Sequence, residues 1–258
     1  MNEQDRNKLE RLAAEWRYVV ADMICRAGAG HIGGTMSLVE ILVTLYYRIL
    51  RVDPQNPAWE DRDRLVVSKG HAGPVVYTAL AYKGYFPRKE LLRLNADGTN
   101  LPSHCDMLRT PGIDMTAGSL GQGLSAAAGM ALGAKKDHKK FRVFCIIGDG
   151  ESNEGQVWEA AMFAAHHRLN NLIAITDCNR LQIDDYTKNI VDMEPLADKW
   201  RAFGWAVFEM DGHDFDDLDN TMRKAMETKD KPAMIIARTK KARGVKGLED
   251  QVPCHTSA

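Results

Sequence analysis

Two short polar groups, each following an apolar run, are the clearest candidates for chemistry in this sequence. The first is Gly148-Asp149-Gly150 and the second is Asp177-Cys178-Asn179. The preceding runs, Arg142 to Ile147 and Leu172 to Thr176, have the composition of buried parallel strands. Because parallel strands end at the same edge of a sheet, we expect the aspartate of the first group to face the asparagine of the second across a crevice.

This pairing predicts a metal site built from hard oxygen ligands. A carboxylate from Asp149, an amide oxygen from Asn179 and one free backbone carbonyl suit Mg²⁺ or Ca²⁺, and the remaining positions suit a diphosphate and water. The Gly150 N–H and the start of the following helix would supply donors for the same phosphates. Either group alone could be an ordinary turn. Together, in a strand–helix–strand context, they favour diphosphate binding.

The surrounding sequence resembles a known family. The GDG motif, a gap of about thirty residues and a segment ending in Asn form the thiamine diphosphate fingerprint, and the chain is similar to the amino-terminal part of transketolase. The matching segments follow the family order over nearly the whole chain. They are AGHIGG (29–34), SKGHAGPVVYTALAYKGY (68–85), SHCD (103–106), TAGSLGQGLSAAAGMALG (116–133), GDGESNEGQVWEA (148–160) and DCNRLQID (177–184).

Length and composition narrow the function classes. The chain has 258 residues and a formal net charge of −1, so it has no basic field for nucleic acid or an anionic membrane. Its polar start lacks a signal-peptide core and no run reaches the roughly 18 apolar residues of a spanning helix, which predicts a cytoplasmic protein. Five cysteines without a C-x-x-C pair indicate free thiols and no zinc site.

Strands alternating with helices predict the fold class. Strand starts at Leu65, Arg142, Leu172, Ala206 and Ala233 indicate an α/β fold, a doubly wound parallel sheet in three αβα layers. Helices are predicted over residues 4–26, 37–50, 74–83, 122–134, 156–168 and 215–228 from their apolar spacing and small residues. No Gly, Ser and Pro linker divides the chain, so we expect residues 1–258 to form a single domain. The resemblance makes this the thiamine diphosphate-binding fold.

One glycine-rich motif has to be set aside. Residues 28–33 fit G-x-G-x-x-G, which in the right context binds dinucleotides. Here the motif follows a predicted helix and not a strand, so we reject that function. The glycines instead allow a sharp turn that presents His31.

Four of the eight histidines lie beside glycine or in irregular polar segments, where an imidazole is accessible. They are His31, His71, His104 and His255. Each alone could be a surface or capping residue, but several in one crevice would suit carbonyl chemistry, since imidazoles bind phosphate, donate to hydroxyl or carbonyl oxygens and move protons. The other four histidines have no such setting.

The resemblance implies a role for each of these histidines. His31 and His255 would act on the donor ketose near its reacting hydroxyl and carbonyl groups. His71 would contact the cofactor diphosphate and the substrate region, and His104 would hold the C1 hydroxyl of the donor. The chain has Ser103-His104-Cys105-Asp106 where the family often has Gly-His-Pro-Glu, and this difference bears on the sugar substrate.

The resemblance also implies a cofactor site. Thiamine diphosphate and Mg²⁺, or Ca²⁺ or Mn²⁺ in its place, would be held by the GDG loop and by Asn179. The implied metal ligands are Asp149, Asn179 and the Leu181 carbonyl; the implied cofactor contacts are His71, Gly118, Leu120, Gly148, Asp149, Gly150, Glu154, Asn179 and Ile183. Glu154 matches a buried acidic position that links paired active sites, although it could also be an ordinary first-turn helix residue.

Part of the implied enzyme is missing from this chain. An intact transketolase has three domains and is more than twice as long, and the glutamate that activates the cofactor belongs to its separate pyrimidine-binding domain. We therefore expect a partner chain with that domain and the C-terminal domain, in an α2β2 heterotetramer that transfers a two-carbon ketol unit between sugar phosphates. The alternatives are the α-subunit of a 2-oxo acid dehydrogenase, a homologue that binds the cofactor without turnover, and a truncated fragment.

Overall fold

The computed structural model describes residues 1 to 256 of the chain. Its main sheet has five strands, and a small antiparallel hairpin follows the third of them. All five predicted strands are present, and each begins within one residue of its predicted start. The strands are β1 Arg64–Val67, β2 Val143–Gly148, β3 Leu172–Cys178, the hairpin strands β4 Leu181–Gln182 and β5 Asp185–Tyr186, β6 Ala206–Asp211 and β7 Ala233–Arg238.

The main sheet is parallel throughout, in the order β1-β2-β3-β7-β6. After β3 the chain forms β6 at the far edge of the sheet, and it then returns to form β7 between β3 and β6. The register pairs Gly148 with Asp177 and Asp177 with Ala237, so the carboxyl ends of β2, β3 and β7 coincide. Open parallel sheets bind their ligands at this edge, where the strand order reverses.

Nine α-helices cover the sheet within the described residues. They are α1 Glu3–Ala27, α2 Ile32–Met36, α3 Val39–Thr44, α4 Gly73–Lys83, α5 Gln122–Lys136, α6 Gly155–His166, α7 Thr187–Ile190, α8 Leu196–Ala202 and α9 Phe215–Met226. None of them, over residues 1–256, combines the length and apolar character needed to cross a membrane.

The sheet is buried on both faces, as its strands predict. In β2, Phe144 and Ile146 pack into one core with α1, α3, α4 and α9, while Cys145 and Ile147 pack into a second core with α5, α6 and α8. Successive side chains of a strand point to opposite faces, so this alternation places one helical layer on each side. The predicted three-layer αβα fold is confirmed.

The predicted helix over residues 37–50 is present from Val39 to Ile49, where α3 continues directly into a π-helical turn at Leu45–Ile49. The short helix α2 precedes it, and a break at Ser37 and Leu38 separates the two. The Ser37 hydroxyl lies at this break and donates to the Asp177 carboxylate at 2.6 Å. A tertiary contact therefore lies at the boundary between α2 and α3. The helices α7 and α8 and the β4–β5 hairpin were not predicted.

A close approach of α5 to the end of β1 depends on one glycine. Gly123 is buried, its N–H donates to the Ser68 hydroxyl at 3.0 Å, and a Cβ at this position would overlap the Ser68 side chain. Further along the same helix, a Cβ at Gly129 would meet nothing within 4 Å. The first glycine is required by packing, whereas the second is not.

We expect Gly123→Ala to lower the free energy of unfolding by about 1–3 kcal/mol, because the new methyl group forces α5 away from Ser68. The matched control is Gly129→Ala, which should leave the stability unchanged or raise it by up to about 1 kcal/mol, since Ala favours a helix interior. Urea unfolding of the two variants measures the difference. Equal stabilities would contradict the close approach.

Candidate functional site

A crevice lies at the carboxyl edge of the sheet, where the predicted site residues were expected. Its walls come from the loops after β1, β2, β3 and β7, together with α2 and the loop before α5. The lining residues are Gly34, Lys69, His71, Leu120, Gly148, Asp149, Gly150, Glu151, Asn179, Leu181, Gln182, Ile183, Lys241 and His255.

Asp149 lies at the end of β2 and is 4% exposed. One carboxylate oxygen accepts the Gly150 N–H at 2.8 Å and the other accepts the Arg180 N–H at 2.6 Å. Burial, reinforced by the nearby charge of Asp177, raises the pKa of Asp149 to about 6, although the two N–H groups oppose this shift. A cation beside this carboxylate would relieve the cost of its burial.

Asn179 and Leu181 lie on the adjacent loop after β3. The Asn179 side-chain oxygen accepts the Leu181 N–H at 3.1 Å, and its amide nitrogen donates to Asp177 at 3.2 Å. The Leu181 carbonyl accepts a hydrogen bond from Lys241 Nζ at 3.1 Å. These contacts orient the two predicted ligand oxygens on one wall of the crevice with Asp149.

The donor set fits a hard divalent cation. Within residues 1–256 there is no cluster of three or more His, Cys, Asp or Glu side chains arranged for a metal. A cation here would depend on one carboxylate, one amide oxygen and one backbone carbonyl, with the remaining positions filled by ligand and water. Oxygen-only coordination with few protein ligands suits Mg²⁺ better than a transition metal.

The structure brings together the four histidines singled out from the sequence. The ring centroid of His31 lies 5.2 Å from that of His71, 5.5 Å from that of His104 and 5.4 Å from that of His255. The ring centroid of His71 is also 5.6 Å from that of His255. Four imidazoles from distant segments thus form one cluster beside the crevice.

These imidazoles are held neutral. Burial, with the adjacent Lys69 as second cause, lowers the pKa of His71 to about 2. Burial and the charge of Lys241 lower the pKa of His255 to about 4. Burial also lowers the pKa values of His31 and His104. At neutral pH each ring can therefore donate one hydrogen bond and accept another.

The remaining predicted contacts surround the crevice. Gly148 and Gly150 flank Asp149, and Leu120 also lines the crevice. Ile183 is 56% exposed at the tip of the β4–β5 hairpin, with a φ of 27° that is unusual for a β-branched residue. Gly118 is exposed on the loop before α5, outside the residues that line the crevice.

Glu154, which the resemblance matches to a buried acidic position between paired active sites, is not buried within the single chain. Glu154 is exposed at the residue that precedes α6. The buried acid of this loop is Glu151, which accepts hydrogen bonds from the Ser68 hydroxyl and from the N–H groups of Gly121 and Gly148. These donors, which lie just after β1, just before α5 and at the last residue of β2, hold Glu151 in the interior.

Sequence reasoning missed two buried lysines. Lys69 pairs with the fully buried Asp177, and Lys241 reaches the Leu181 carbonyl. Burial would raise the pKa of Asp177, but the Lys69 charge and several hydrogen bonds hold it below its ordinary value. Lys69 follows β1 and Lys241 follows β7, so testing every strand end, and not only β2 and β3, would have found both.

The crevice also fits an anionic ligand. Two lysines, Lys69 and Lys241, belong to its lining, and among residues 1–256 the only carboxylates that line it are those of Asp149 and Glu151. His255 Nδ1 is buried and has no hydrogen-bond partner within the described part of the chain. Buried polar atoms are normally paired, so this nitrogen suits a polar ligand. The chemistry therefore matches a diphosphate with a metal ion.

Fold and crevice together define a class: a parallel α/β domain, covered by helices on both faces, with a polar crevice at the carboxyl edge of its sheet. Comparison with known proteins is consistent with this class. Residues 9–258 match the family described as transketolase, thiamine diphosphate binding domain. The chain belongs to the transketolase family, whose members are transferases. The resemblance found from the sequence is confirmed.

Individual relatives differ in length. The chain is 53% identical to the 6-deoxy-6-sulfo-D-fructose transketolase subunit of Clostridium sp. (strain MSTE9), over 96% of this chain and 90% of the relative. It is 39% identical to one of the subunits of the apulose-4-phosphate transketolase of Phocaeicola vulgatus, over 96% of this chain and 88% of that relative. The solved transketolase of Campylobacter jejuni superposes with a TM-score of 0.93 at 33% identity, covering 100% of this chain but only 41% of that one.

We expect Lys69→Met to lower the free energy of unfolding by about 3–5 kcal/mol, because it leaves the buried Asp177 carboxylate without its cation. Lys89→Met, at an exposed lysine, is the control and should change stability by no more than about 0.5 kcal/mol. Urea unfolding of both variants tests this. A loss below about 1 kcal/mol for Lys69→Met would show that the ion pair is dispensable.

Proposed function

We propose that this chain is the diphosphate-binding subunit of a two-chain transketolase that depends on thiamine diphosphate and Mg²⁺. With its partner it transfers a two-carbon ketol unit from a ketose to an aldose. The convergence of four neutral imidazoles beside a crevice with Asp149, Asn179 and two buried lysines carries this proposal. A 2-oxo acid dehydrogenase subunit is disfavoured, because the relatives reported above are transketolases and transketolase subunits.

The histidines act on the sugar. His31 and His255 contact the ketose near its reacting hydroxyl and carbonyl, and His104 holds the C1 hydroxyl. Burial lowers the pKa of each ring and keeps it neutral. A neutral ring can take up a hydroxyl proton at one nitrogen and donate a hydrogen bond to an oxygen from the other. His71 contacts the diphosphate and the substrate region, where its neutral ring donates one hydrogen bond.

The cofactor residues position and neutralise the diphosphate. Asp149, Asn179 and the Leu181 carbonyl hold the metal, while Gly148 and Gly150 allow the phosphates to approach the loop. Leu120 and Ile183, with Gly118, contact the ring systems. When bound, thiamine diphosphate supplies the electron sink for cleaving the bond next to the ketose carbonyl. Lys69 and Lys241 are further candidates to balance the phosphate charge, since both line the crevice.

The rest of the enzyme is proposed to lie on a second chain. Residues 1–258 form one diphosphate-binding domain, and the pyrimidine-binding and C-terminal domains belong to the partner, in a cytoplasmic α2β2 heterotetramer. Two relatives that span most of this length are named as subunits, which supports this division. Glu154, exposed here, would become buried where two sites adjoin.

The donor is proposed to be a ketose with an anionic group at its far end. The names of two relatives refer to a sulfonated fructose and to a phosphorylated sugar, and the former shares 53% identity with this chain. We therefore place 6-deoxy-6-sulfo-D-fructose first among donors to test, beside fructose 6-phosphate and pentose phosphates. The Ser103 to Asp106 segment, which carries His104, differs from the usual family motif and is proposed to contribute to the choice of donor.

A reconstitution experiment tests the function itself. The chain co-expressed with its partner should transfer ketol units and elute with a mass near twice that of the heterodimer by light scattering. The chain alone should be inactive, since it lacks the glutamate that activates the cofactor. Ketol transfer by the purified chain without a second polypeptide would refute the two-chain arrangement.

Metal-dependent cofactor binding should require Asp149. We expect Asp149→Ala to weaken thiamine diphosphate binding to the assembled complex by at least about a hundredfold, because the site loses its only charged ligand. Chelation of Mg²⁺ should weaken binding to the unsubstituted complex similarly. Calorimetry measures both effects, with the exposed Asp184→Ala as control. Tight binding by Asp149→Ala would mean that the metal site is misassigned.

Substitution of His104 should lower kcat/KM for the ketose and leave the affinity for the cofactor nearly unchanged. For His104→Ala we predict a fall in kcat/KM for the ketose of about 10²-fold or more, because a group that contacts the reacting sugar is lost. Cofactor affinity should change by less than about threefold. His166→Ala, at an exposed histidine, is the control. Parallel losses of cofactor and ketose affinity would indicate a folding role instead.

A further inference from the structure

A buried polar cluster outside the crevice has no role in the proposed reaction. It joins Arg17 of α1, Glu40 of α3 and His213 in the loop before α9. The Arg17 guanidinium pairs with one Glu40 oxygen, and His213 Nδ1 lies 3.0 Å from the other. Glu40 is 6% exposed, and the His213 side chain is 10% exposed. Burying such charged groups is costly, so the cluster requires an explanation beyond stability.

The hydrogen bonds determine the protonation of His213. Its Nε2 is 2.9 Å from the backbone nitrogen of Lys240, which is a donor. Nε2 must therefore be the unprotonated acceptor, and the ring proton must lie on Nδ1, where it is donated to Glu40. A histidine fixed in this way links a buried carboxylate to one peptide N–H of the main chain.

The peptide groups held by the cluster belong to the segment that follows β7. We call residues 240–255 the C-terminal arm. His213 accepts from the Lys240 N–H near its start, and Arg17 Nε donates to the Arg243 carbonyl at 3.0 Å. These two bonds anchor the arm on either side of Lys241.

The same arm supplies one wall of the crevice. Lys241 Nζ donates to the Leu181 carbonyl, and the Ala242 N–H donates to the Gly33 carbonyl at 3.0 Å. The Cys254 carbonyl packs so tightly on Gly33 that a Cβ there would overlap it, and the next residue is His255. The position of the arm therefore determines where the Lys241 ammonium group and the His255 imidazole lie in the crevice.

From this geometry we infer that His213, oriented by Glu40 and Arg17, is a positioning residue that fixes the C-terminal arm for cofactor binding. The inference rests on the proposed function, because it assigns the arm a cofactor to bind. His213 lies outside the residues that line the crevice. It acts through the Lys240 N–H, one residue before Lys241.

Other charges beside the cluster do not replace its bonds. Glu249 accepts from Arg243 Nη1 at 3.0 Å and from the Gly244 N–H at 2.8 Å, and Lys240 Nζ lies 3.3 Å from it. These bonds lie within the arm and stiffen it internally. The contacts from Arg17 and His213, by contrast, connect this part of the arm to α1 and to the loop before α9.

Two substitutions separate the acceptor role from simple packing. The amide of Gln reaches the place of a histidine Nε2, whereas that of Asn reaches the place of Nδ1. His213→Gln should therefore keep an acceptor for the Lys240 N–H, and His213→Asn should lose it. His138→Asn is the matched control, because His138 is exposed and has a φ of 55°, which Asn tolerates.

Three measurements on the full chain and its complex test the proposal. Nitrogen-15 spectra of the histidine rings should show the Nδ1–H tautomer for His213. Hydrogen exchange should be about tenfold faster at the Lys240 amide in His213→Asn and within about threefold of the original in His213→Gln, the size expected for one net hydrogen bond. Thiamine diphosphate affinity of the complex, with Mg²⁺, should fall by about tenfold in His213→Asn alone.

The outcomes are distinguishable. Equal defects in the Asn and Gln variants, unchanged exchange in His213→Asn, or faster exchange with unchanged cofactor affinity would each overturn the positioning role. Absence of thiamine diphosphate binding by the unsubstituted complex would instead overturn the proposed function. The expected pattern, with both defects in His213→Asn and neither in His213→Gln or His138→Asn, would establish the positioning role.

Discussion

The buried carboxylate of Asp177 is the interaction on which the site depends. It is 0% exposed and accepts hydrogen bonds from Lys69, Ser37, Thr239 and Asn179. Those partners follow β1, α2, β7 and β3, so one carboxylate holds four chain segments at the same edge of the sheet. A buried charge is tolerated only when it is paired and fully hydrogen-bonded, so these segments are constrained to meet around it.

The electrostatics of the crevice follow from that arrangement. Lys69 neutralises Asp177 and also lies beside His71, where its charge and burial together lower the pKa of the ring. Burial is also the first cause of the lowered pKa values of His31, His104 and His255, and the Lys241 charge adds to it at His31 and His255. The site thus combines the Lys241 ammonium group with neutral imidazoles.

The crevice is open in the single chain. Ile183 and Gly118, both expected to contact the cofactor, are exposed, and Glu154 is exposed beside the GDG loop. Two relatives of similar length are named as transketolase subunits, and a partner subunit is consistent with this exposure.

Local sequence determined the strands, most helices and the family, because strand burial and the GDG and histidine motifs are written in adjacent residues. It also singled out the four histidines whose rings lie together in the structure. Only the tertiary structure decided that a break at Ser37 and Leu38 separates α2 from α3, that Glu151 is buried while Glu154 is exposed in the single chain, and that Lys69 and Lys241 line the crevice. The physical reason is that each of these outcomes depends on contacts between residues far apart in the chain, and no local pattern encodes such a contact. Ser37 and Asp177, for example, are 140 positions apart.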